Sequence, residues 1–144
     1  MNVRKPADYS AMYRELTKIL TQNLPQMAEI CAIGKAVSCC PEKGAAVAAA
    51  EFLQANFPDR TGFSPRNVRR MRDFYRTCEN DEPLLRLAMK IGWTLNVVIM
   101  EAELTRDERK WYLDQALCRG WSKTQLLNAI RSGIDSTEHL EQFD

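Results

Sequence analysis

At 144 residues the chain has the length of one domain, and folding at that size removes roughly 70% of the unfolded chain's surface from water, enough for a real core. A formal charge of +1 excludes a uniformly polycationic or polyanionic protein, and no apolar run of transmembrane length and no basic-then-apolar leader at Met1 is present, which predicts a cytoplasmic protein without a membrane partner. Five cysteines, at positions 31, 39, 40, 78 and 118, form a poor disulfide framework because the count is odd and two are adjacent, so reduced thiols are expected.

From Asp8, a plausible cap, Tyr9, Met12, Tyr13, Leu16, Ile19 and Leu20 recur at helical spacing and predict an amphipathic helix. Leu24-Pro25 ends it, since proline lacks the donor that continues a helix. Met27, Ile30, Cys31, Ile33, Gly34 and Val37 predict a second helix, in which Gly34 permits a close helix contact, and Pro41 punctuates. The alanine-rich segment 42–57 has high helix propensity and a small-residue surface that another helix can approach closely.

The densest positive charge lies in 60–76, RTGFSPRNVRRMRDFYR. Ser64 followed by Pro65 is a helix start, with an oxygen to cap free N–H groups and a ring whose fixed φ suits the first helical position. At 100° per residue, Val68, Met71, Phe74, Tyr75 and Cys78 share one arc, while Arg66, Arg69, Arg70, Arg72 and Arg76 take most of the other against Asp73 alone. Two readings are open. Guanidinium groups pair with phosphate oxygens and keep their charge at any working pH, which suits a nucleic acid; or the face is solvated and neutralised by acids elsewhere in the fold.

Beyond the polar connection 79–82, Pro83 starts the most apolar segment, expected to be central and broken into two helices around Gly92. Thr105 with Glu108 forms a capping box for a helix whose Trp111, Tyr112, Leu113, Ala116 and Leu117 face inward. Arg119-Gly120-Trp121 turns the chain and Ser122 caps a last helix containing Leu126, Leu127 and Ile130, closed by Ser132-Gly133; helix, tight glycine turn, helix is a geometric match to a helix-turn-helix. Lys123, Thr124, Gln125 and Asn128 form its polar face. The expected fold is all-α, a compact multi-helix bundle with helix-turn-helix-like units, spanning 1–134 as one domain with an acidic tail over 135–144.

No phosphate-cradling glycine loop, nucleophile elbow or HExxH pair occurs, and the one histidine, His139, stands alone in the acidic tail. Catalysis, cofactors and a metal site are therefore not expected. Glu101, Glu103, Asp107 and Glu108 read as a solvated helix junction, and Trp93, Trp111 and Trp121 as core.

The segments FPDRTGFSPRNVRRMRDFYR and IGWTLNVVIMEAELTRDERKWYLDQALCRGWSKTQLLNAI resemble the N-terminal domain of the bacterial YhcG-like proteins, the DUF1016 family, over about 9–130. Matching positions are Gly62, Phe63, Ser64, Arg66, Asn67, Met71, Phe74 and Tyr75, then Trp93, Asn96, Arg109, Trp111, Tyr112, Gly120, Trp121 and Ser122. The sequence departs from the family where a Trp-Gly-His-Asn-like stretch is replaced by Trp93-Thr94-Leu95-Asn96, and where Cys31-Ala32 stand ahead of Ile33-Gly34 in place of an aromatic. In the family this domain precedes a PD-(D/E)xK-type nuclease domain, which this sequence does not contain. The resemblance implies an accessory helical module that binds DNA or docks a partner.

Together these readings predict a non-catalytic module contacting nucleic acid, double-stranded DNA in the first instance, through Arg66, Asn67, Arg69, Arg70, Arg72, Arg76, Lys123 and Gln125. The alternative is a protein-interaction module whose arginines dock an acidic surface, on a second copy in a homodimer or on a separately encoded nuclease.

Overall fold

The computed structural model describes residues 6–133, and these form eight helices with no strand among them. The fold is all-α. The acidic tail and His139 lie outside the described residues. Contacts gather the chain into two units that divide at Asn80/Asp81, inside the polar connection that the sequence places between its two apolar halves.

The first unit holds α1 (Ser10–Leu20), α2 (Gln26–Cys39), α3 (Ala45–Asn56) and α4 (Pro65–Cys78). Asp8 holds the start of α1 by accepting from the Ser10 N–H at 2.9 Å and the Ser10 hydroxyl at 2.6 Å, and these bonds keep its carboxyl below the ordinary range. α2 begins after Pro25 and packs chiefly on α4. Gly34 makes that packing possible: a Cβ built there would stand 2.2 Å from the Met71 carbonyl oxygen, so the two backbones approach where only hydrogen fits. α3 starts at Ala45, three residues later than its alanine-rich composition suggests, because Gly44 adopts the left-handed conformation at φ 78° and turns the chain into the helix. Leu16, Ile33, Val37, Ala49, Leu53, Val68 and Phe74 supply a dry core.

The second unit holds α5 (Glu82–Ala88), α6 (Trp93–Glu101), α7 (Arg106–Arg119) and α8 (Lys123–Ser132). Asp81 caps α5 and pairs with both nitrogen positions of the Arg106 fork, tying the start of α5 to the start of α7. The apolar segment does break at Gly92, as its composition suggests, but α6 is less central than expected: only Asn96 and Ile99 are fully buried. Asn96 is the polar clasp of this break. Its amide reaches the carbonyls of Ala88 at 2.9 Å, Ile91 at 3.2 Å and Gly92 at 3.0 Å, tying the end of α5 to the start of α6.

The Thr105–Glu108 capping box is present, with the Thr105 N–H donating to Glu108 at 2.8 Å. Tyr112 is fully buried and Trp111 nearly so, whereas Leu117, expected inside, is 39% exposed. Trp93 and Trp121 are half-buried, and the Arg119 guanidinium lies over the Trp121 ring at 5.6 Å. Gly120, at φ 62°, and Gly133, at φ 65°, end α7 and α8 in the left-handed conformation that glycine adopts without a Cβ penalty.

Candidate nucleic-acid interface

Contacts with α2 and α3 hold the loop that leads into α4. Arg60 pairs with Glu29, a carboxylate only 6% exposed on α2, and its guanidinium stands 5.6 Å from the centre of the Phe63 ring. Phe63 is buried, and Gln54 of α3 donates to its carbonyl at 2.8 Å. Gly62 takes φ 88°, and the Asn67 side-chain amide closes the turn by donating to the Gly62 carbonyl at 2.6 Å. Ser64 then accepts from the Asn67 N–H at 3.1 Å, the N-cap bond that its sequence position predicts.

α4 buries Val68, Met71, Phe74 and Cys78, with Tyr75 half-buried. Its arginines are not equivalent. Arg66 and Arg69 are exposed and have no carboxylate partner among the described residues. Arg76 is exposed and donates from Nε to a neutral acceptor, the Ser38 hydroxyl of α2, at 3.0 Å, which fixes its stem without cancelling its charge. Arg72 is half-buried and pairs with Asp73 at 3.1 Å, so part of its field is offset locally. Arg70 is half-buried with its Nε shielded from solvent, and does not present its whole fork outward.

The arrangement therefore brings Arg66, Arg69 and Arg76 together on one exposed flank of α4, ten residues from end to end, or about 15 Å along the axis. Asn67 serves the turn through one N–H of its side-chain amide, given to the Gly62 carbonyl. In the second unit Lys123 and Gln125 are exposed at the first turn of α8. Gln125 is part of a capping box that its spacing from Ser122 could have revealed: its oxygen accepts from the Ser122 N–H at 2.8 Å. Lys123 and Gln125 belong to a different unit from the α4 arginines.

A family model described as the DUF1016 N-terminal domain matches residues 42–135, which run from the turn before α3 past the end of α8. The chain belongs to the DUF1016 N-terminal domain family. No curated protein and no solved structure matches the chain. The matched DUF1016 region contains both asparagine clasps, Asn67 and Asn96, and both capping boxes. The exposed arginines of α4 lie within the same matched region. α1 and α2 precede the match, although α2 is the helix on which α4 packs.

None of the described helices is long and apolar enough to cross a membrane. Among the described residues no group of three or more His, Cys, Asp or Glu side chains could hold a metal ion. Glu101, Glu103 and Asp107 are exposed, and Glu108 is occupied in its capping box, the arrangement of a solvated helix junction.

Proposed function

We propose that this chain is a non-catalytic DNA-binding module of a bacterial, cytoplasmic protein, and that α4 docks on the phosphate backbone through Arg66, Arg69 and Arg76, with Arg72 in support. One observation carries the reading: the flank of α4 keeps three exposed guanidiniums and, among the described residues, no carboxylate pairs with Arg66 or Arg69 and a hydroxyl is the partner of Arg76. Exposed guanidinium forks along one flank of a helix suit a polyanion with regularly spaced phosphates. The Asn67 and Gln125 amides already serve a turn and a cap, so they are weaker candidates for sequence preference.

Binding of a labelled DNA duplex at low salt tests this. Wild type is expected to shift the duplex, and Arg66→Ala with Arg69→Ala to lose at least tenfold in affinity, the scale of removing two charged phosphate contacts. No shift by wild type, or an unchanged affinity in the double variant, removes the proposal. Size exclusion with light scattering on the same samples examines the other reading, a homodimer or a nuclease subunit docked on these arginines. A dimer that the double variant dissolves would favour protein over DNA as the partner.

A further inference from the structure

α1 and α2 pack along one another, yet the side chains they turn toward a shared surface are short. α2 presents Ala32, Lys35, Ala36 and Cys39, spaced three, four and seven residues from the first, and α1 presents Ala11, Met12, Glu15 and Ile19. These residues, with Asp8 and Gln22, line an open groove of about 530 Å³. That volume falls in the range of roughly 300–1,000 Å³ typical of small-molecule sites.

One end of the groove carries two adjacent thiols. Cys39 is the last residue of α2 and is exposed; Cys40 follows in an extended conformation, φ −78° and ψ 121°, and is half-buried; both line the groove and both are free. Their Cα atoms are held about 3.8 Å apart by the peptide bond, and both residues line the same groove. Among the described residues no third ligand is grouped with the pair closely enough to make a tetrahedral zinc site. Two soft thiolate donors select a soft centre that accepts two of them. The floor beside them, Met12, Ile19, Ala32 and Ala36, is apolar. Cys31, also on α2, does not line the groove, and its burial pushes the thiol's pKa up.

We propose that the α1–α2 groove is a ligand site anchored by the vicinal thiols Cys39 and Cys40, and that it takes a small apolar organic group carrying one soft, thiophilic centre with two exchangeable positions. A trivalent aryl arsenical is the simplest member of that class. With phenylarsine oxide the exchange is redox-neutral: two As–S bonds form, the arsenic–oxygen bond breaks, and the two thiol protons leave with that oxygen as water, arsenic remaining trivalent. The ring lies against the alanine floor.

The test is retention of phenylarsine oxide by the full chain, measured by mass spectrometry of the intact protein and by titration. Wild type is expected to take up one equivalent, resistant to a monothiol and released by ethanedithiol. Cys39→Ser and Cys40→Ser should each lose about a hundredfold or more in affinity, because one sulfur cannot chelate, while Cys31→Ser and Cys118→Ser stay at the wild-type level. Phenylarsine oxide should outcompete inorganic arsenite by about tenfold or more, the gain from burying one ring. Ala36→Leu, which fills the groove and leaves both thiols in place, should narrow that ratio while preserving arsenite uptake. Wild-type uptake by either serine variant, equal loss in Cys31→Ser, or equal affinity for arsenite and the aryl compound would overturn the proposal.

Discussion

Replacing Gly34 by alanine sets two well-measured effects against each other. In an exposed helix the change is favourable by about 1 kcal/mol, since glycine has more backbone freedom to lose on folding. Here the added methyl would lie 2.2 Å from the Met71 carbonyl oxygen, 2.8 Å from its carbon and 3.0 Å from the Tyr75 Cβ. Those neighbours are backbone and a Cβ, which cannot swing aside as a flexible side-chain tip can, so α2 and α4 must separate along their principal contact. Overpacking of this kind costs about 1–3 kcal/mol. With the atoms this close the upper part of that range applies, and the net expectation is a loss of about 1–2 kcal/mol. Urea denaturation followed by circular dichroism measures it as a lower midpoint at unchanged slope. The sign decides: a Gly34→Ala protein as stable as wild type, or more stable, would mean that the close approach of α2 to α4 is wrong.

Asn96→Ala removes the donor shared by three carbonyls at a position 4% exposed, and is expected to cost about 1–3 kcal/mol in thermal or urea unfolding; a loss below 0.5 kcal/mol, about half the usual worth of one hydrogen bond, would rule out the clasp. The Arg106 guanidinium is the main cause holding the Asp81 carboxyl below its ordinary range, helped by the Leu84 N–H and opposed by desolvation. A carboxyl lowered in the folded state contributes stability that is complete above its unfolded pKa and lost as pH falls through the folded one, so Asp81→Asn should flatten the acid side of the stability profile and leave a smaller pH dependence below about pH 4. An unchanged acid limb in that variant would contradict the pairing. Arg60→Ala leaves the buried Glu29 carboxylate without its partner and should cost about 1–3 kcal/mol, less than a fully buried pair because Arg60 is 45% exposed; Glu29→Gln in the same background should recover part of it, as a double-mutant cycle would report.

The all-α class, the proline and serine starts, the Thr105 box and the break near Gly92 were readable because each depends on a few neighbouring residues and a local rule. Gly34 was readable for a similar reason, a lone glycine within an apolar helical pattern. Roles that depend on partners distant in sequence were not. Nothing in the spacing of Arg60 shows that it reaches Glu29, 31 positions away, or in that of Arg76 that its Nε reaches Ser38, 38 positions away. Helical projection places five arginines on one face, yet it cannot separate Arg70, with its shielded Nε, from Arg69, which is open. Asn67 and Gln125 look like base-reading amides in sequence and prove to be a turn clasp and a cap, because a polar side chain near a helix start meets its own backbone before it meets a ligand. Leu117 fits the inward pattern of α7 and is nonetheless exposed.

The most direct measurement is the salt dependence of duplex binding by wild type and by Arg66→Ala/Arg69→Ala. The three exposed arginines predict a slope of about −3 or steeper in log affinity against log salt, each contact contributing roughly −0.9, and the double variant should be shallower by about 2. A wild-type slope near zero, or one that the double substitution leaves unchanged, would contradict the assignment of the α4 flank to a phosphate backbone.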